Sequence, residues 1–496
     1  MVTGYLDNFY ARLGIPHTAT QEEIRHAYHI AARKFHPDSN KENSAVEVFL
    51  QIQEAYDTLS NATARAAYDS RLPKDLSTPK NMLVNAIYSR QTLTRIDRPQ
   101  LLYVLLSIAS APDPNHTIPT RLPLNICLVL DTSNSMSGTR LNAVKDTATQ
   151  IIHSLRPEDI LSVVAFNDRA DVIIPATRNQ NLNMLTAKVS TIHTGGGTEI
   201  FKGLETGYQE IKKKLKPRYK NHIILITDGR TYGDEDLCLR LAHDASNQGV
   251  TIHTIGIGHE WNDDFLDSLA ATTGGNSEFA ETSDAIEKFL KKRFGQIENT
   301  VATNVSLEIK TPVNVELRYA FRMNPETSSI IIGDTLAFGD LPKDKGMNIL
   351  MEFLIKSVDN HQEIRVLDGT LNFLLPSAPI PNVSSRLTFS RPVSENPKPI
   401  PPPQILVRAM SRLSLYRLQE MARNDLKAGN LNQATRRLKN LATQLLHSGE
   451  NQLAQTVMLE LDHIKENHDM REDFQKQIKY GTRALVLEDT KEESQP

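Results

Sequence analysis

Apolar positions near the start of the chain recur every three or four residues. In QEEIRHAYHIAARKF (21–35), Ile24, Ala27, Tyr28, Ala31 and Phe35 fall on one stripe, which predicts an amphipathic helix. Thr20 followed by Glu23 is a capping-box signature for its first turn. SAVEVFLQIQEAYDTLS (44–60) repeats the spacing at Val48, Phe49, Ile52, Ala55, Tyr56 and Leu59. Between them lies HPDSNKEN, where Pro37 forces a turn, so two antiparallel helices are predicted with His36-Pro37-Asp38 at the mouth of their loop.

Beyond a short polar linker the period changes. MLVNAIYSRQ and QLLYVLLSIA read as strands, broken by RIDRP and closed by PDPNHTIP. From 123 to 295, apolar runs alternate with helical stretches; the clearest are NICLVL (125–130), ILSVVAF (160–166), HIILIT (222–227) and VTIHTIGIG (250–258). Unbroken apolar strands separated by helices imply a parallel sheet covered on both faces. TNVSLEIK, NVELRYAF, SIIIGDTLAFGDL, NILMEFLIKS and GTLNFLLP then return to strand and turn. PVSENPKPIPPP is a semi-rigid crossing, and the helical region after it turns at Gly429-Asn430.

The expected organisation is a helical domain (1–70), a linker (71–81), the first part of a β-sandwich (82–122), an α/β domain (123–297), the second part of the sandwich (298–392), a proline-rich connection (393–403), a C-terminal helical region (404–485) and a disordered acidic tail (486–496). The fold class is therefore multidomain: α, α/β and β, with a doubly wound α/β domain inserted in a β-sandwich and helical hairpins at the C-terminus. Neither flanking β-segment closes a sandwich alone, and insertion between two strands costs little when the termini of the inserted domain lie close together. Two separate small β units are the rival arrangement.

Totals sharpen the class. A chain of 496 residues is too long for one core. A formal net charge of −3 gives no basic face for nucleic acid, and KKKLKPRYK (212–220) reads as a solvated helix end and loop. Cys127 and Cys238 are the two cysteines, which excludes a disulfide framework or a zinc module; Cys127 lies in a buried strand, and a reducing compartment fits. The opening MVTGYLDNFYARLG lacks the basic end and apolar run of a signal peptide. The greasiest segments, LLYVLLSIASA and NICLVL, fall short of the roughly 20 residues that span a bilayer. The expectation is a cytoplasmic protein with no membrane and no nucleic-acid partner.

Two constellations carry candidate chemistry. LVLDTSNSMSG places Asp131, Ser133 and Ser135 just past a buried strand, where an open α/β sheet keeps its ligand crevice. GGGTEI supplies Thr198 after a glycine run, and LITDG supplies Asp228 at another strand end. Together these pieces, with TIGIG at 254–258 and TGG at 273–275, resemble the metal-ion-dependent adhesion site of von Willebrand factor A domains. The resemblance implies that Asp131, Ser133, Ser135, Thr198 and Asp228 hold Mg²⁺ or Mn²⁺. Neutral hydroxyls leave such a dication strongly electrophilic, and the ion seeks a carboxylate from a protein partner. Glu199 reads as a solvent-facing residue of a first helical turn.

The second constellation is His36-Pro37-Asp38 between its two helices, preceded by YARLGI and followed by AYDTLS and RAAYD. It resembles the J-domain of DnaJ-type co-chaperones, with Phe9, Tyr10 and Leu13 at helix I positions. The resemblance implies that His36, Pro37 and Asp38 engage a DnaK-type chaperone ATPase, with Arg25, Arg33 and Lys34 supplying positive charge. His26 and His29 on the same helix dilute that charge at neutral pH.

An enzyme finds no support. The chain has no P-loop lysine after GGGT, no G-x-G-x-x-G, no G-x-S-x-G elbow and no H-E-x-x-H, and His253 and His259 lack a matching ligand set. The reading is a cytoplasmic co-chaperone or adaptor with no catalytic residues. Its alternatives are a metal-dependent interaction scaffold, linked to an AAA-type ATPase and with an incidental J-domain, and a metal-dependent hydrolase.

Overall fold

The computed structural model describes residues 9–13, 15, 19–35, 43–69, 82–110, 122–178, 181–216, 218–229, 233–258, 261–280, 285, 288, 295, 297, 299–343, 346–358, 362–375, 382–398, 400–467 and 470–486. The chain divides into two compact units: Met1–Leu122 with Glu298–Val407 and Asp489–Pro496, and Pro123–Ile297 with Arg408–Glu488.

The first unit opens on α1 (Phe9–Leu13), α2 (Gln21–Phe35), α3 (Asn43–Leu59) and α4 (Ala62–Asp69). The predicted capping box is formed, with Glu23 N donating to Thr20 Oγ1 (3.2 Å) and Thr20 N to Glu23 Oε2 (2.7 Å). The predicted stripes meet in a small core of Tyr10, Leu13, Ile24, Ala31, Ile52, Ala55 and Leu59. Tyr28 stacks on Tyr56 and Phe9 on Tyr68, at 4.1 and 4.4 Å between centroids.

The strands on either side of the α/β segment share sheets. In chain order these are β1 (Met82–Tyr88), β2 (Leu93–Thr94) and β3 (Gln100–Ser110), then β4 (Leu124–Asp131), β5 (Ile160–Phe166), β6 (Ala170–Arg178), β7 (Lys220–Thr227), β8 (Val250–Ile257) and β9 (Ser277–Ala280) of the α/β segment. There follow β10 (Thr300–Lys310), β11 (Val315–Asn324), β12 (Ser328–Ser329), β13 (Thr335–Pro342), β14 (Met347–Ile355), β15 (Glu363–Leu374) and β16 (Asn382–Ser394). One sheet runs β1-β3-β14-β11-β12 and the facing one β13-β10-β15-β16-β2. β3 pairs antiparallel with β1 on one edge and with β14 on the other, Leu105 opposite Leu350. Alternate residues such as Leu102, Val104 and Leu106 meet Leu307, Phe338, Leu371 and Phe389 in one core. The α/β fold is thus inserted in one sandwich, as its flanking patterns predict, and two separate β units are excluded. The last residues of β16 pair in parallel with β2, Val393 with Leu93 and Ser394 with Thr94, so the proline-rich stretch begins as strand.

In the second unit, six strands run in the order β6-β5-β4-β7-β8-β9, parallel except for the antiparallel edge strand β6. Between the strands and after them lie α5 (Thr139–Ser154), α6 (Leu182–Ser190), α7 (Ile200–Lys212), α8 (Glu235–Asn247) and α9 (Asp263–Thr272). The unbroken apolar run of β4 has a simple cause, since both its faces are covered. Leu124, Ile126, Leu128 and Leu130 pack with Val144, Ala148 and Ile152 of α5, while Cys127 and Val129 pack with Leu204 and Tyr208 of α7. The helix α7 lies so close that a Cβ at Gly207 would stand 2.5 Å from Val129. Burial pushes the Cys127 thiol up to about 12, the behaviour of an inert core cysteine.

The same unit ends in α10 (Gln404–Lys427), which belongs to it from Arg408 onward, α11 (Leu431–His447), α12 (Asn451–Asn467) and α13 (Glu472–Leu485). The predicted turn at Gly429-Asn430 is formed: Gly429 has φ +78°, and Asn430 N donates back to Asp425 O (2.7 Å). Leu438, Leu441 and Leu445 pack against Ala454, Val457 and Leu461. Among the described residues, no helix is long and apolar enough to cross a membrane.

Candidate metal centre

β4 has β5 on one side and β7 on the other, so the chain reverses its direction of travel across the sheet at β4. In open α/β sheets such a switch point is where ligands are held, and here Asp131 and Asp228 stand at the carboxyl ends of β4 and β7. Both are buried, and so is Ser133. Asp131 Oδ1 accepts from Ser133 N (2.8 Å) and Oδ2 from Thr227 Oγ1 (2.6 Å). Ser133 Oγ lies 3.0 Å from Ser135 Oγ, and Ser135 Oγ donates to Asp228 Oδ1 at 2.7 Å. A single turn of 3₁₀ helix, Asn134–Met136, presents these hydroxyls and is pinned by the buried Met136.

The glycine-rich loop is tied to the same turn. Gly195 N donates to Thr132 O (2.8 Å) and Asn134 N to Gly196 O (3.3 Å). Gly196 has φ +79°, and a Cβ there would stand 2.7 Å from Asp168 Oδ1, so the bend requires glycine. Thr198 is thereby held beside the end of β7: a Cβ on Gly229 would lie 2.9 Å from Thr198 Oγ1. The five residues singled out from the sequence, Asp131, Ser133, Ser135, Thr198 and Asp228, thus meet at one strand-end crevice. Glu199 is exposed and pairs with Lys202 at 2.7 Å, outside this set.

The donor set suits a hard dication. It consists of hydroxyl and carboxylate oxygens with no thiol or imidazole, the chemistry Mg²⁺ or Mn²⁺ takes. Burial, with a small addition from Asp228, pushes Asp131 up to about 6 against the hydrogen bonds from Thr227 and Ser133. A carboxylate so placed is short of positive charge. Among the described residues, no cluster of three His, Cys, Asp or Glu could hold a metal, so a zinc-type alternative has no support there. His253 instead stacks on His222, with ring nitrogens 3.2 Å apart in the sheet interior.

Two groups escaped the sequence reading. Arg140, on the first turn of α5, pairs with Asp228 Oδ2 at 2.5 Å. On the far side of β8, α9 carries Asp263, Asp264 and Asp267, which meet cations from α10 and α13. Arg423 grips Asp263 with two nitrogens (2.5 and 2.7 Å), and Lys479 reaches Asp263 (2.8 Å) and Asp267 (2.9 Å). Lys427 pairs with Asp264 (2.6 Å) and Arg483 with Asp267 (3.2 Å). Trp261 is enclosed there, its carbonyl accepting from Lys476 Nζ (2.8 Å) and its ring 6.1 Å from that of Tyr480. A sequence signal existed, in acids spaced i, i+4 on α9 and bases spaced i, i+4 on α10 and α13.

Of the chaperone-binding candidates, His36, Pro37 and Asp38 lie outside the described residues. Arg25 is exposed on α2, as are His26 and His29; Arg33 and Lys34 lie on the same helix, with side chains outside the description.

Comparison with known proteins agrees with this architecture. Residues 125–292 match the von Willebrand factor type A domain, 8–69 the DnaJ domain, and 404–488 the Sll0103-like, C-terminal alpha-helical domain. An uncharacterized protein, sll0103, of Synechocystis sp. is 32% identical over 341 residues, 65% of this chain and 78% of that protein. The chaperone protein DnaJ of Streptococcus agalactiae is 52% identical over 61 residues, 12% of this chain and 16% of its own. Among solved structures, a von Willebrand factor type A protein from Catenulispora acidiphila covers 83% of this chain and 98% of its own, with a TM-score of 0.64 at 16% identity, a likeness of fold.

Proposed function

The chain belongs to the Sll0103-like family of von Willebrand factor type A proteins and carries a DnaJ domain ahead of that core, and from this we propose that it is a co-chaperone adaptor that captures a protein partner through a divalent metal. Asp131, Ser133, Ser135, Thr198 and Asp228 hold Mg²⁺ or Mn²⁺. The bound ion supplies an electrophilic centre for an acidic side chain of the partner. Ser133 and Ser135 offer neutral oxygens, Thr227 fixes one Asp131 oxygen, and the Gly195–Gly197 loop keeps Thr198 in place. The observation that carries this reading is the convergence of three hydroxyls and two buried carboxylates at the switch point of the sheet.

The DnaJ domain recruits a DnaK-type chaperone ATPase through His36, Pro37 and Asp38, with Arg25, Arg33 and Lys34 as the basic flank. The chain itself catalyses no reaction and works in the cytoplasm. Support comes from the helical core that presents Arg25 to solvent and from the likeness to DnaJ over 61 residues. Two measurements test the proposal. Calorimetric titration with Mg²⁺ and Mn²⁺ should show one site per chain that Asp131→Ala removes; no heat in the wild type under millimolar metal would refute it. The wild type should also stimulate a DnaK-type ATPase, and His36→Gln should not. A wild type that binds metal but leaves the ATPase unchanged favours the interaction scaffold, for which the exposed His26 and His29 on the basic helix speak.

A further inference from the structure

Arg140 stands where a cation has no local reason to be. It occupies the first turn of α5, whose N-cap is Gly138. The unsatisfied amides of a helix N-terminus repel positive charge. Its side chain nevertheless turns back over the metal loop, donating to Asp228 Oδ2 (2.5 Å) and to the Ser135 carbonyl (3.3 Å). The neighbouring strand leaves room for it: Gly258, at φ +69° just past β8, would place a Cβ 2.9 Å from Arg140 Nη2. Three separate elements therefore build a cradle for this guanidinium.

Asp228 is the shared element. One of its oxygens accepts from Ser135, a proposed metal ligand, and the other is held by Arg140. The Asp228 side chain is fully buried, whereas that of Arg140 is 39% exposed. The carboxylate stays, and the guanidinium is free to swing into water at little desolvation cost. A dication among these oxygens would meet the Arg140 charge within a few ångströms, and like charges at that range in a partly buried site repel strongly.

We propose that Arg140 is an internal counter-cation that competes with the metal for Asp228 and so sets the affinity of the site. This rests on the metal-binding reading above. In the ion-free form Arg140 neutralises Asp228 and keeps the two strand-end carboxylates compatible. On loading it yields Asp228 and moves outward. Gly258 serves the ion-free form only, by giving the guanidinium its seat.

The test is Mn²⁺ binding to the full-length chain, followed by electron paramagnetic resonance of the free ion. Wild type, Arg140→Ala, Arg140→Gln, Arg140→Lys and Asp131→Ala are compared, with melting in EDTA as the check on folding. Competition predicts that Arg140→Ala and Arg140→Gln bind Mn²⁺ roughly tenfold or more tightly than wild type. Arg140→Lys should fall between, because it keeps the charge but loses the fork. Both neutral variants should melt lower than wild type in EDTA and regain the difference with metal. An arginine with a merely structural role would lower the melting temperature and leave Mn²⁺ affinity unmoved. Equal or weaker binding by Arg140→Gln, beside a wild type that binds, overturns the competition and leaves the metal site standing. Binding by neither wild type nor variants overturns this inference and the metal reading together.

Discussion

The second unit holds two groups of carboxylates, each with a buried aspartate at its centre, and they are built on opposite plans. Asp131 and Asp228 stand among hydroxyls and backbone amides, with one half-exposed guanidinium as their counter-charge. Asp263, Asp264 and Asp267 are met by Arg423, Lys427, Lys479 and Arg483, of which Lys479 is almost wholly enclosed. Burial acts on Asp131 and Asp263 alike, yet the outcomes diverge. It pushes Asp131 up to about 6, while at Asp263 it is outweighed by the Arg423 hydrogen bond and the Lys479 charge, which hold that carboxyl well below its usual range. Where the chain supplies its own cations, acids fasten one element to another. Where it supplies mainly oxygens, Asp131 is left short of counter-charge.

Substitutions can break this contrast. The largest effect is expected from Lys479→Met, which strands Asp263 and Asp267 without one of their shared cations. Removal of one partner from a buried network costs about 3–5 kcal/mol. Urea denaturation should show that loss, and limited proteolysis should release α10–α13 from the α/β fold. A midpoint within error of wild type would mean that the apolar contacts of Trp261 and Tyr480 carry the interface without the charges.

Replacing each acid by its amide sharpens the contrast, because the two sites should respond with opposite signs. Asp263→Asn loses its charge-assisted bonds and should destabilise by about 2 kcal/mol. Asp131→Asn removes a carboxylate that burial penalises, and the Thr227 hydroxyl can accept from the new amide. The metal-free protein should gain about 1 kcal/mol and lose its thermal response to Mg²⁺. Losses at both positions would erase the distinction.

Acidity separates the sites again. With its folded pKa raised, Asp131 binds a proton more tightly in the folded chain. The metal-free α/β fold therefore loses stability as pH climbs from the ordinary carboxylate range through about 6, and the stabilisation by Mg²⁺ grows over the same interval. Asp263 and Asp267 are depressed, so their contribution is complete above the ordinary carboxylate value and is lost as pH falls below it. Melting curves in EDTA and in Mg²⁺ at pH 5 and pH 7.5 should differ most at the higher pH. The smallest effect belongs to Glu199→Ala, which removes one exposed i, i+3 pair with Lys202 and should change stability by less than about 0.5 kcal/mol, with no change in metal affinity.

What was legible in the sequence follows from range. The strand-end residues Asp131 and Asp228 announced themselves because a strand and its own next residues determine where they stand. The sandwich could be inferred because neither β-segment was large enough to close by itself. Arg140 was passed over because its partner is 88 residues away along the chain and its helix position argues against a functional cation. The fastening of α9 to α10 and α13 spans 160 and 216 residues, so its matching charge periods gained meaning only when the helices were seen side by side. His36, Pro37 and Asp38 were legible as a motif and lie outside the described residues.

The shared sheet has a consequence for biosynthesis. β3 leaves the ribosome soon after β1 and can zip to it at once, but β14, which belongs on its other edge, is encoded beyond the whole α/β segment. Translation must finish all six strands of the α/β sheet before the sheet that β1 and β3 begin can be completed. Until then β3 presents an apolar face and an open edge, the features that invite wrong pairing between nascent chains. The N-terminal strand pair is thus the part of this protein most exposed to error while it is being made.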